Sequence, residues 1–140
     1  MVDKQPILQP LSMIRQILEI TQGMLEESKN QLEIMKEAKE KTYVLDDEIV
    51  DRALKLYKEQ NENAKIFINQ CKIWKQEKLT ELQVIQIQEI EYSTNLLIET
   101  NNELLSIFNY CKDRTINKIV EKDDPELALD FLTGKITLPK

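Results

Sequence analysis

The chain has 140 residues, a formal net charge of −6 and a pI near 4.8, with 41% hydrophobic, 31% charged and 6% aromatic residues. Only two glycines and four prolines are present, a composition suited to long helices with few tight turns and no sheet. The acidic balance argues against nucleic-acid binding, which draws on clustered lysine and arginine. The absence of histidine removes histidine-assisted nucleophiles, histidine zinc sites and the Glu-x-x-His motif of di-iron bundles.

Residues 1–10 form a lead-in containing Pro6 and Pro10. It has no apolar run resembling a signal peptide. A first helix is predicted over 11–41, because Leu11, Ile14, Leu18, Thr21, Leu25, Ser28, Leu32 and Met35 recur at spacings of three and four. Gly23 interrupts it, marking either a close helix approach or a tolerated defect. The stretch Lys41-Thr-Tyr-Val-Leu-Asp-Asp breaks the pattern, and Asp46 or Asp47 can cap the next helix.

The second helix is expected over 47–77, with Ile49, Val50, Ala53, Leu56, Tyr57, Gln60, Ala64, Phe67, Cys71 and Trp74 on one face. Neither proline nor glycine separates it from the next apolar stretch. Thr80-Glu-Leu-Gln83 nevertheless matches a capping box, Leu79 and Val84 are placed for a hydrophobic staple, and the apolar stripe changes phase. The reading is therefore a hairpin; one continuous rod from Asp47 to Lys122 is the alternative.

The third helix, over 81–122, carries Ile87, Ile90, Thr94, Leu97, Asn101, Leu104, Phe108 and Cys111 on one stripe, widened by Ile98 and Leu105. Ile116, Ile119 and Val120 fall on an expected overhang beyond its partners. Asp123-Asp-Pro-Glu then starts a short helix over 125–132, with Leu127, Ala128, Phe131 and Leu132 on one face and Gly134 beyond its end. Residues 133–140 read as a weakly ordered tail.

The expected fold is all-α: a single domain over 1–140, formed by an antiparallel bundle of three long helices with coiled-coil-like packing plus a short C-terminal helix. Two cysteines forty residues apart do not resemble a secreted disulfide framework, which makes a cytoplasmic location the expectation. No stretch is apolar enough to span a bilayer. Lys72, Lys75 and Lys78 form a small basic strip, read as a solvated face.

No cofactor, metal site or catalytic residue is expected. Neighbouring carboxylates such as Glu89 with Glu91, or Asp46 with Asp47, read as solvated faces or caps. The favoured function is a non-catalytic interaction or scaffold protein that self-associates as a dimer or docks a protein partner. The candidate surface is Ile98, Asn101, Leu105, Ile116, Ile119, Val120, Leu127 and Phe131, with Asn101 setting register across the seam. The alternative is a small regulatory or accessory subunit, chaperone-like or secretion-related, that binds a peptide or protein. An enzyme ranks third.

Overall fold

A computed structural model describes residues 9–42 and 45–117, and within them the chain is all-helical, with three helices packing against one another. A single 3₁₀ turn at Leu11–Met13 leads into α1, Ile14–Ala38; α2 is Asp47–Trp74 and α3 is Glu81–Cys111. Pro10 is extended, and its carbonyl accepts the Met13 amide at 2.9 Å, which opens that first turn.

Each later boundary has a local cause. α1 winds down through tighter bonds, with the Glu40 amide on the Glu37 carbonyl and the Lys41 amide on the Ala38 carbonyl, so the regular helix stops short of the expected residue 41. Asp46 caps α2, its carboxylate accepting the Ile49 amide at 2.8 Å. Asp47 and Glu48 place negative charge in the first turn, complementing the helix dipole.

α2 and α3 are separate helices. The Thr80 hydroxyl accepts the Gln83 amide at 3.1 Å, and the Gln83 side chain accepts the Thr80 amide at 2.9 Å. The capping box read from the sequence is thus formed, and it starts a helix where neither glycine nor proline enforces one. Of the two residues expected to form a staple, Leu79 packs against the core and Val84 is exposed.

The third helix ends at Cys111, not near 122. Two contacts explain the stop. The Arg114 guanidinium donates to the Tyr110 carbonyl at 2.6 Å, and the Arg114 amide donates to the Cys111 carbonyl at 2.9 Å, so helix-end carbonyls are satisfied locally. The chain then docks on the segment ahead of α2. The Thr115 hydroxyl donates to the Asp47 carboxylate at 2.5 Å, the Ile116 amide to the Leu45 carbonyl at 2.9 Å, and the Asp47 amide to the Asn117 side-chain carbonyl at 2.9 Å.

Among the described residues the contacts divide the chain into two compact units, one of residues 9–30 and 59–101, the other drawn from 31–58 and 102–117. In the first, Ile14, Ile17 and Leu18 of α1 pack with Cys71 and Trp74 of α2 and Ile87 and Ile90 of α3. Leu25, Ala64 and Leu97 form a smaller cluster there. In the second, Leu32, Met35, Leu45, Val50, Leu54, Tyr57, Leu104, Phe108 and Cys111 form one core, with the Tyr57 and Phe108 rings stacked at 6.1 Å.

The stripes expected on α1 and α3 are buried throughout, apart from Leu11, which is half-buried. On α2 the expected face is corrected. Ile49 and Leu56 are about half exposed, whereas Leu54, Asn61 and Gln70 are buried. From Val50 to Ala64 the buried positions are 50, 54, 57, 61 and 64, a narrow seam of alternating four and three, and Ile49 and Leu56 each stand one residue to its side.

Candidate functional site

Of the sequence-nominated surface, the residues that fall among the described ones, Ile98, Asn101, Leu105 and Ile116, are engaged in the chain's own packing. Ile98 is half-buried against the Leu25, Ala64 and Leu97 cluster, and Leu105 is half-buried against the core of the second unit. Asn101 is fully buried rather than exposed on a seam. Ile116 lies past the end of α3, half-buried and tied by its amide to the Leu45 carbonyl. Ile119, Val120, Leu127 and Phe131, the short helix over 125–132 and the tail lie outside the described residues.

Asn101 belongs to a polar group inside the first unit. Its side-chain amide donates to the Gln60 side-chain carbonyl at 3.1 Å, and the Ser28 hydroxyl points at the same oxygen at 3.5 Å. The Asn101 side-chain oxygen is buried and has no partner among the described residues. Thr21, Thr94 and Thr100 return their hydroxyls to the carbonyls of Leu18, Ile90 and Leu96 on their own helices. A helix can bury such threonines cheaply, because the donor is satisfied within a turn.

A second polar group fastens the lead-in. The Gln70 side-chain oxygen accepts the Gln9 amide at 2.9 Å, and the Trp74 indole donates to the Gln9 carbonyl at 2.8 Å. The Gln70 amide nitrogen is buried without a partner among the described residues. Trp74 thereby buries its ring while its one donor is satisfied, as a core tryptophan requires.

Both cysteines are free and buried. Burial pushes the Cys71 thiol up to about 12, reinforced by the nearby Glu91 carboxylate and opposed by Lys75. Burial also raises Cys111, against the pull of Arg114 and Lys39. A thiol held protonated is a poor nucleophile and a poor metal ligand. Among the described residues, no group of three His, Cys, Asp or Glu side chains could hold a metal ion. An open depression of about 440 Å³ beside the end of α1 is lined by Ile34, Glu37, Ala38, Glu40 and Lys41. Its three charged side chains are exposed, so it is an open, solvated depression rather than an enclosed cavity.

The outer face of α3 stands apart. Leu82 is 63% exposed, Ile85 50% and Tyr92 68%. At about 100° per residue, Leu82, Ile85, Glu89 and Tyr92 occupy an arc of about 80°, on the side of the helix away from Ile87, Ile90, Thr94 and Leu97. Glu81 and Glu99 both lie at one edge of this arc, about 20° beyond Tyr92. On the adjoining side, Glu91 is engaged by the Lys75 ammonium at 2.6 Å. Sequence reasoning favours the stronger inner stripe and passes over this one. The signal is present in the spacing 82, 85, 92, set in a helix apolar on more than one side.

Among the described residues, no helix is long and apolar enough to cross a membrane. The chain matches no protein-family model, no curated protein and no solved structure.

Proposed function

We propose that this chain is a non-catalytic helical interaction protein that docks another protein through the outer face of α3. The observation that carries the reading is the exposed, helically spaced set Leu82, Ile85 and Tyr92. Scattered single apolar side chains are ordinary on a protein surface, but a row in register on one helix is the form in which helices recognise partners. The two buried, protonated thiols suit a reducing compartment such as the cytoplasm.

In this reading the three helices form an antiparallel, coiled-coil-like bundle, followed by a short fourth helix over 125–132. Support for the antiparallel order comes from the first unit, where the start of α1, the end of α2 and the start of α3 share one apolar cluster. Self-association through α3 has less support. Ile98, Asn101 and Leu105 are engaged within the chain, and α3 carries Glu81, Glu89, Glu91, Glu99 and Glu103 with no lysine or arginine, so two copies of it repel.

The test compares the full chain with a Leu82→Gln, Ile85→Gln, Tyr92→Gln variant as bait in a native extract, after both show the same helicity and melting temperature. Stoichiometric partners lost specifically from the variant are expected. An identical set recovered by both would overturn the assignment to this face. Sedimentation of the purified chain settles self-association: a single species near 16.5 kDa is expected, and a dimer abolished by the same substitutions would give the face to a second copy.

A further inference from the structure

The outer face of α3 has a charge as well as a shape, and the two together select an occupant. Five glutamates, Glu81, Glu89, Glu91, Glu99 and Glu103, and no basic residue make α3 the source of most of the chain's net charge of −6. Glu91 is neutralised by Lys75. Glu81, Glu89 and Glu99 are exposed, none of them is in an ion pair among the described residues, and they lie in or beside the arc of Leu82, Ile85 and Tyr92.

We propose that this face binds a cationic amphipathic helix of a partner protein, its apolar stripe laid on Leu82, Ile85 and Tyr92 and its lysines or arginines set against Glu81, Glu89 and Glu99. The inference rests on the docking role proposed for α3 and adds the partner's chemistry. From Leu82 to Tyr92 the face runs about 15 Å, some three turns, the reach over which a docked helix presents anchors at i, i+3 or i+4 and i+7. The exposed apolar area is on the order of 350 Å², below the roughly 800 Å² per partner of a standard interface, and so suits one helix better than a whole subunit.

Charge excludes the competitors. A second copy would bring glutamate against glutamate, and anionic lipid or nucleic acid would meet like charge. A basic helix gains on approach, because opposite potentials steer the encounter and fix orientation even where each exposed pair contributes little.

The test titrates the full chain with three fluorescent helical peptides that share one leucine stripe and carry lysine, glutamine or glutamate on its flanks. The lysine peptide is expected to bind about tenfold or more tightly than the glutamine peptide at low salt, with the advantage shrinking as salt rises. A Glu89→Lys, Glu99→Lys variant should lose that advantage and take the glutamate peptide instead. Ile85→Gln, with every charge in place, should weaken the lysine peptide, which separates docking on the face from diffuse attraction. Equal binding of the lysine and glutamine peptides would overturn the charge assignment while leaving the docking role standing. Lysine-peptide binding unchanged by Ile85→Gln would overturn the location. Failure of the lysine peptide to bind would overturn the proposed partner class, and the docking role would then be judged by the bait comparison alone.

Discussion

Replacing Asn101 with leucine should leave the protein as stable as before or raise its stability by about 1 kcal/mol. Asn101 is fully buried on α3, with one hydrogen bond to Gln60 at 3.1 Å and an oxygen that has no partner among the described residues. Removing the bond costs about 1 kcal/mol, and leaving the Gln60 oxygen with only Ser28 at 3.5 Å costs about 1–3 kcal/mol more. Removing the orphaned oxygen recovers about 1–3 kcal/mol, and a leucine, branched like asparagine at the same atom, adds about 2 kcal/mol of apolar burial.

The gains and losses therefore nearly balance, with the apolar term tipping the sign. Asn101→Asp provides the contrast. It sets a buried carboxylate facing the Gln60 oxygen and should cost about 3 kcal/mol or more at neutral pH. That cost should shrink in acid, because burial raises the new carboxyl's pKa and protonation restores a donor. Urea unfolding, followed by far-ultraviolet circular dichroism and by Trp74 fluorescence, measures both variants. A loss of more than about 2 kcal/mol in Asn101→Leu would refute the reasoning, because it would mean that the asparagine is fully satisfied and contributes net stability.

Single observations carry three further predictions. Gly23→Ala should stabilise the chain by about 0.5–1 kcal/mol in thermal or urea unfolding, since nothing lies within 4 Å of the added methyl and the site is mid-helix; destabilisation would mean that Gly23 makes a close approach. Thr80→Ala should cost about 1 kcal/mol by unpairing the Gln83 amide, and a Thr80→Ala, Gln83→Ala double mutant should cost less than the sum of the singles, because the two side chains act reciprocally. Cys71 should react slowly with a thiol reagent in the native protein and fast in denaturant. Its thiol rises from 9.0 to about 12 on folding, so above pH 9 the unfolded state loses protons first and native stability falls with rising pH. A Cys71→Ala variant should lack that component of the decline.

How far the sequence reveals the fold depends on the strength of its periodicity. The buried stripes of α1 and α3 are legible because residues such as Ile14, Leu18, Leu25, Ile90, Leu97 and Leu104 each fall on one seam, with threonine, serine and asparagine holding the remaining positions. The α2–α3 break is legible because Thr80 and Gln83 stand at capping-box spacing, which the structure fills with two reciprocal hydrogen bonds. The end of α3 is not, since the path the chain takes once Arg114 has closed the helix depends on Thr115, Ile116 and Asn117 meeting Leu45 and Asp47 some seventy residues earlier. The outer row Leu82, Ile85 and Tyr92 is hidden for a different reason. Periodicity locates apolar positions but does not say which of two faces on one helix the neighbours will cover.

The docking claim is tested most directly by a photoreactive residue in place of Tyr92, compared with one in place of Ile66, an exposed isoleucine on α2 in the same unit. Crosslinks formed in the cells that make the protein are identified by mass spectrometry at the level of the partner peptide. The account predicts that position 92 joins to an amphipathic helix with lysine or arginine beside its apolar stripe. Glu89→Lys with Glu99→Lys should suppress that product, and position 66 should not form it. No crosslink at position 92, or the same products at both positions, would contradict the claim.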